Sequence, residues 1–245
     1  MNDDIARARE LVSRANKVVA FTGAGVSQES GIPTYRGTGG LWNEYDPSKY
    51  ADVNYFLQDP SYYWNFFRDI RYPALAQSKP NRAHLAIADL EKQGKLDVVI
   101  TQNIDGLHQE AGNSAVIELH GNTRIIGCLN CGRDFAFDTV YQQLQTELPP
   151  HCAECGGMLK PRVVFFGEPL PQDALTRAEQ AVSKCDLLLV VGSTLEVYPA
   201  ASLPLTAKRY RARIIIVNVG RTALDQIADV RIDAKAGETL SMIVR

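Results

Sequence analysis

Val18-Val19-Ala20-Phe21-Thr22-Gly23-Ala24-Gly25-Val26-Ser27 decides the reading of this chain. An apolar, β-rich run passes into a Gly-Ala-Gly turn and a serine. A parallel strand buried on both faces reads as such a continuous apolar run. A glycine turn after it leaves backbone N–H groups able to hold phosphate. Gln28 stands where G-x-G-x-x-G would place its third glycine, so the common dinucleotide fingerprint is incomplete.

Outward from that strand, the pattern repeats. Residues 3–15 read as an amphipathic helix with Ile5, Ala8, Leu11 and Val12 on one face. Asp59-Pro60 reads as a helix start, giving one helix over 60–77. Asn81 to Gln93 is a second, stopped by Gly94. Strands are predicted at 98–101, 116–119, 186–192, 213–218 and 230–232, with helices at 173–183 and from the end of the 186–192 strand through Ala207. Strands alternating with helices predict an α/β fold, a Rossmann-like doubly wound parallel sheet. A smaller zinc-ribbon and helical domain is inserted into it. The large part is expected over 1–34, 80–124 and 161–245, the small part over 35–79 and 125–160.

At 245 residues with net charge −2, the chain can bury a sizeable core and carries no global basic field. Nucleic-acid binding is therefore not expected. No apolar run reaches membrane-spanning length. The start Met1-Asn2-Asp3-Asp4 lacks the apolar region of a signal peptide, so a cytoplasmic protein, monomeric by default, is expected.

Cys128-x-x-Cys131 and Cys152-x-x-Cys155 are separated by 20 residues, which is zinc-ribbon spacing. Two knuckles close a tetrahedron of thiolates with no open position, so one structural Zn2+ is expected, outside the chemistry. The segment between the pairs carries Arg133 against Asp134, Asp138, Glu147 and Glu154, which argues against a phosphate-binding ribbon. His151 is surplus to this shell, and Cys185 reads as a buried thiol.

Three predicted strand ends carry small or amide residues: Gly23-Ala24-Gly25, Gly192-Ser193-Thr194 and Asn218. Each alone is also a turn or a helix cap. Together on one sheet edge they read as a nucleotide site. A hydride-transferring dehydrogenase needs an acidic residue ending its second strand. Here that region is Leu41-Trp42-Asn43-Glu44-Tyr45-Asp46-Pro47, which ends no strand.

The run Glu29-Ser30-Gly31-Ile32-Pro33-Thr34-Tyr35-Arg36-Gly37, then Thr101-Gln102-Asn103-Ile104-Asp105, then Leu119-His120-Gly121, resembles the sirtuins, the NAD-consuming protein deacylases. The resemblance runs from Val18 to Gly237. It implies an NAD-dependent protein-lysine deacetylase with NAD as co-substrate. Gly23, Ala24, Gly25 and Ser27 would lie at the pyrophosphate, and Gly192, Ser193, Thr194, Asn218 and Ala236 around the adenosine. Pro33, Thr34, Tyr35 and Arg36 would form a loop over the nicotinamide end. Gln102, Asn103, Ile104 and Asp105 would hold the nicotinamide and its ribose, with Asn103 and Asp105 serving the chemistry. His120 would be the general base, its ordinary pKa near about 6.5 suiting that task. His84 and His108 are expected to be structural and supporting.

Val163-Val164-Phe165-Phe166-Gly167-Glu168-Pro169 resembles the family's substrate strand, with Val164, Phe165, Phe166, Gly167 and Glu168 on one side of the acyl-lysine peptide and Val197 on the other. The resemblance places Phe67 and Ile70 where desuccinylating relatives carry Tyr and Arg. An apolar acyl pocket for acetyl or longer fatty groups is thus expected, with Arg68 and Arg71 close by. Glu196 would favour basic flanking residues. A protein ADP-ribosyltransferase on the same fold, and a non-enzymatic NAD-binding or ribbon module, are the alternatives.

Overall fold

In the computed structural model, residues 2–37 and 39–244 are described, and nine strands among them form two sheets. β1 (Val18–Thr22), β2 (Leu96–Thr101) and β3 (Val116–Glu118) come first. β4 (Gly121–Cys128), β5 (Asp134–Ala136) and β6 (Leu159–Val163) follow, then β7 (Leu187–Val191), β8 (Arg213–Val217) and β9 (Val230–Ile232). Six of them build a parallel sheet in the order β3-β2-β1-β7-β8-β9. The order reverses between β1 and β7. The two strand ends there part to opposite faces and open a crevice.

Successive side chains of a strand alternate between faces, and both faces are covered. Val18 and Ala20 pack with Val12, Ile87, Leu90 and Leu240, from helices Asn2–Arg14, Arg82–Lys92 and Ala236–Ile243. Val19 and Phe21 pack with Val182, Leu203 and Ala207, from helices Gln172–Val182 and Leu203–Arg209. Burying each large aliphatic side chain contributes about 1.5–3 kcal/mol, which is why no polar residue interrupts Leu187–Val191.

Helix Arg82–Lys92 also braces the β1 loop. The Asn81 carboxamide accepts from the Ala83 N–H at 2.8 Å as its cap, and donates to the Val26 carbonyl at 2.8 Å. His84 Nδ1 returns the contact to the Asn81 N–H, completing a capping box.

Two predicted elements differ from expectation. The helix over 60–77 is continuous but switches to a π turn at Phe67–Arg71 between Ser61–Phe66 and Tyr72–Gln77. The Asp59 carboxylate accepts from the Ser61 N–H at its start, at 3.1 Å. After β7 the chain stays irregular to Pro199, and helix begins only at Ala200–Ser202 and Leu203–Arg209. Pro204 sits in the first turn of the latter, where its missing N–H costs nothing.

The smaller antiparallel sheet runs β5-β4-β6. Helix Phe137–Gln143 and the 61–77 helix pack around it, joining Phe56, Tyr63, Trp64, Phe67, Ile126, Leu159 and Phe165 in a third core. Among the described residues no helix is long and apolar enough to cross a membrane.

Candidate active site

The loops after β1 and β7 interlock at the crevice. Gly23 N–H donates to the Val191 carbonyl at 3.1 Å and Gly25 N–H to the Gly192 carbonyl at 2.9 Å. A Cβ on Gly25 would lie 2.8 Å from Gly192 Cα, and one on Gly192, whose φ is +63°, would lie 2.3 Å from Val26 N. The glycines are therefore required for backbone-to-backbone contact. The turn Ala24–Val26 is a single 3-10 turn, and its following N–H groups at Val26 and Ser27 bond within it. Among the described residues the N–H of Ala24, which lines the cleft, has no backbone partner.

These loops form the floor of a cleft of about 880 Å3. Its walls include Thr34, Tyr35 and Arg36, then Gln102, Asn103, Ile104 and His120. They continue through Val164–Glu168, Ser193, Thr194, Val197, Asn218 and Ala236. Three of the expected residues lie elsewhere. Pro33 lines a separate small cavity with Ile32, Ile70 and Arg71. Ser27 and Asp105 are buried behind the wall.

Ser27 is buried because it is spent on a polar cluster. Its hydroxyl donates to Asp105 Oδ2 at 2.7 Å and accepts from the Asn103 carboxamide at 3.0 Å. Asp105 Oδ1 accepts from the Leu107 N–H at 2.9 Å. Beneath them, Thr22 Oγ1 bonds Thr101 Oγ1 at 2.8 Å and His108 Nε2 at 2.9 Å. Burial pushes the His84 and His108 pKa values down to about 4 and about 3, so both rings are neutral struts. The cluster ties Asn103, which lines the cleft beside Ile104, to the buried Ser27 and Asp105.

His120 follows β3 and a turn, with its ring on the cleft wall. Its Nδ1 lies 2.9 Å from the Gln102 carbonyl oxygen. A carbonyl only accepts, so Nδ1 carries the proton and Nε2 keeps the basic lone pair. Among the described residues Nε2 has no partner. Burial holds the ring's pKa below its ordinary value, against the pull of that hydrogen bond. The expectation of an unshifted pKa is thus corrected downward. Gln102 also donates from Nε2 to Ser193 Oγ at 2.9 Å, tying the β2 loop to the β7 loop.

The loop over the catalytic end is held by rings. Tyr35 packs on Trp42 at 5.0 Å between centroids, and the buried Arg71 guanidinium lies 5.0 Å from the Tyr35 ring centre. In the sequence Arg71 reads only as a neighbour of the acyl pocket, and Trp42 carries no role. Phe67 is fully buried in the aromatic core and Ile70 is half-buried. The π turn between them rotates the following residues, so Arg71 is the side chain that reaches the loop.

Residues 164–168 form no regular strand; β6 ends at Val163. Phe166 N–H donates to the Ala51 carbonyl at 2.8 Å, and Val53 N–H to the Phe166 carbonyl at 3.0 Å. Phe165 is core, edge-on to Phe56 and tilted against Tyr63, whereas Phe166 is 43% exposed. Across the cleft, Thr194 donates its hydroxyl to Glu196. At the far end Asn218 is committed to the Val219 and Gly220 carbonyls. Gln28, Ala51, Leu170, Leu175 and Tyr198 also line the cleft. Gln28 follows the glycine turn and Tyr198 follows Val197, while Ala51, Leu170 and Leu175 belong to no turn or strand-end motif.

The four cysteines converge at the tip of the small sheet, every Sγ within 4.8 Å of the others. The Cys128–Cys155 and Cys131–Cys152 separations are 3.6 and 3.7 Å. Ligands about 2.3 Å from a tetrahedral zinc would stand roughly 3.8 Å apart, so the arrangement fits this metal. It does not fit disulfides, which need about 2.05 Å. Backbone N–H groups of Asn130 and Cys131 point at Cys128 Sγ, as thiolate ligands require. Arg133 is paired with Glu154, so the ribbon offers no free base between its knuckles.

Comparison with known proteins gives a consistent match. The family model described as Sir2 family matches residues 23–199. The NAD-dependent protein deacylase 2 of Archaeoglobus fulgidus is 46% identical over 245 residues, covering 100% of this chain and 96% of the relative. The NAD-dependent protein deacetylase of Sulfurisphaera tokodaii is 46% identical over 236 residues, covering 96% and 92%. A solved Sir2 enzyme superposes with a TM-score of 0.93 at 46% identity over 100% of this chain and 97% of that one. A Sir2 complex with a p53 peptide and NAD+ gives 0.88 at 39% identity, covering 96% and 94%. On sequence and architecture together, the chain belongs to the Sir2 family.

Proposed function

We propose that this chain is an NAD-dependent protein-lysine deacetylase, with Zn2+ held by Cys128, Cys131, Cys152 and Cys155 as a structural ion. One observation carries the reading. A single cleft holds the glycine loops, His120 with a free basic nitrogen, and the exposed edge at Val164–Glu168. A dinucleotide and an acylated lysine can thus meet beside one base.

In this reading the acetyl-lysine carbonyl oxygen forms a bond to the ribose C1′ as the C1′–nicotinamide bond breaks. Charge on the ribose in that step is met by the fixed polar groups at Asn103 and Gln102, which need no reorganisation. His120 Nε2 then takes a proton from the ribose hydroxyls, allowing the 2′ oxygen to add to the acyl carbon. Expulsion of the lysine amine and addition of water leave 2′-O-acetyl-ADP-ribose. Tyr35, packed between Trp42 and Arg71, shields the C1′ centre from solvent. Structures of relatives with a p53 peptide and with a myristoylated histone peptide support an acyl-lysine peptide as partner. A cytoplasmic location is supported by cysteines gathered for a metal and not paired as disulfides.

The test is a reaction of the protein with NAD and acetyl-, myristoyl- or succinyl-lysine peptides, read by mass spectrometry. Deacetylation that requires NAD is the expected result. NAD consumption with ADP-ribose attached to protein would instead make the chain a transferase of that group. No turnover with any peptide would end the enzymatic reading.

A further inference from the structure

Glu168 does not simply face the cleft. Its Oε2 accepts from the Phe165 N–H at 2.7 Å and from Lys160 Nζ at 2.8 Å. Lys160 stands on β6 with its side chain 8% exposed. The same ammonium donates to the Val163 carbonyl at 2.8 Å and lies 4.2 Å from the Phe165 ring centre. An ammonium taken from water is costly unless its protons are met. Here a carboxylate, a carbonyl and an aromatic face surround it.

These contacts determine which backbone groups of the wall are free. Lys160 takes the Val163 carbonyl, and Glu168 takes the Phe165 N–H. The Val164 N–H donates to the His120 carbonyl at 2.9 Å, and the Glu168 N–H closes a turn on the Phe165 carbonyl at 3.0 Å. Ala51 and Val53 occupy both groups of Phe166. Among the described residues the Val164 carbonyl and both backbone groups of Gly167 remain open. Gly167 has φ +89°, which only glycine adopts without strain, and the closed turn at 165–168 imposes it.

We propose that Lys160 is a positioning residue for the acyl-lysine peptide, its ammonium locking Glu168, Phe165 and Val163 so that Val164 and Gly167 present their free groups to an extended chain. The proposal rests on reading 164–168 as the peptide wall. Extended peptides bind by main-chain hydrogen bonds, so misplacing these groups weakens peptide and not dinucleotide. Lys160 also acts on the base indirectly, since Val163 is the residue before the one that holds the His120 carbonyl.

The test compares Lys160→Met, Lys160→Arg and Glu168→Gln with the unaltered protein. It measures peptide KM, kcat, and NAD dissociation constant by calorimetry. Lys160→Met is expected to raise the peptide KM about tenfold, equivalent to about 1.4 kcal/mol, with NAD affinity unchanged within about twofold. Lys160→Arg keeps the charge and a donor, and should restore most of the loss. Should Lys160→Met fail to fold, the isosteric Glu168→Gln carries the same test and should raise the peptide KM several-fold. An unchanged peptide KM, or NAD affinity falling in step with it, overturns the positioning role. An unaltered protein that turns over no acyl peptide would overturn the underlying functional reading instead.

Discussion

His120→Ala is expected to lower kcat for deacylation by about 10²–10⁴-fold, the range a positioned general base contributes. The reason is the imidazole Nε2, which has no partner among the described residues. Nδ1 is committed to the Gln102 carbonyl, so the ring has one tautomer and one direction for its lone pair. NAD affinity should survive, because the glycine loops at Gly23–Gly25 and Gly192 and the strand end at Asn218 are untouched by the substitution. The pH profile gives a second check. A base works when neutral, and burial holds the His120 pKa below the ordinary 6.5. Activity is therefore full at neutral pH and falls only as pH drops below 6.5, through the lowered pKa. An acid limb above that value, or an alanine variant with near-normal kcat, would remove His120 from the base role. Kinetics with saturating peptide across pH 5–8 decide it.

Zinc removal is the second large effect. Replacing Cys131 by Ser, or stripping the ion with a strong chelator, is expected to unfold the β5-β4-β6 module and abolish activity. Structural zinc contributes apparent binding free energies of about 10–16 kcal/mol, more than this small sheet can spare. The loss reaches the cleft by a short route. β4 pairs with β6, whose end leads into the peptide wall, and the 61–77 helix packs on the same core. NAD binding at the parallel sheet should be affected far less. Zinc stoichiometry, circular dichroism and peptide turnover measured on one preparation check this. Full activity in metal-free protein would contradict it.

The parallel sheet was legible because burial on both faces forces continuous apolar runs, as at Leu187–Val191, and because glycine must stand where the β1 and β7 loops touch. β2 was read from Val98 although it begins at Leu96, since Asp97 breaks the run on an exposed register. The small sheet was legible only as a cysteine pattern. β5 has only three residues, and β4, though eight residues long, is buried without regular alternation, so neither shows the period of a half-buried strand. The final helix Ala236–Ile243 was not anticipated, as its apolar face shows only against helices Asn2–Arg14 and Arg82–Lys92.

The site was legible where a residue type is demanded by chemistry, as at His120, Asn103 and the four cysteines. It was obscure where position is set by tertiary contact. Ser27 sits in the glycine motif yet turns inward to Asp105, because a buried carboxylate needs donors more than the cleft needs a hydroxyl. Arg71 reaches Tyr35 only because a π turn intervenes, which no periodicity reveals. Lys160 belongs to no sequence motif, and only the fold brings Glu168 back onto it.

The most direct test of the central claim is the fate of oxygen. A peptide whose acetyl-lysine carbonyl carries 18O is turned over with NAD, and the ADP-ribose product is analysed by mass spectrometry. If the acyl oxygen attacks C1′ in this cleft, the label ends on the ribose of ADP-ribose, and nicotinamide, free lysine and O-acetyl-ADP-ribose form in equal amounts. Label retained in free acetate, with unlabelled ADP-ribose or untouched NAD, would mean direct hydrolysis and would contradict the account.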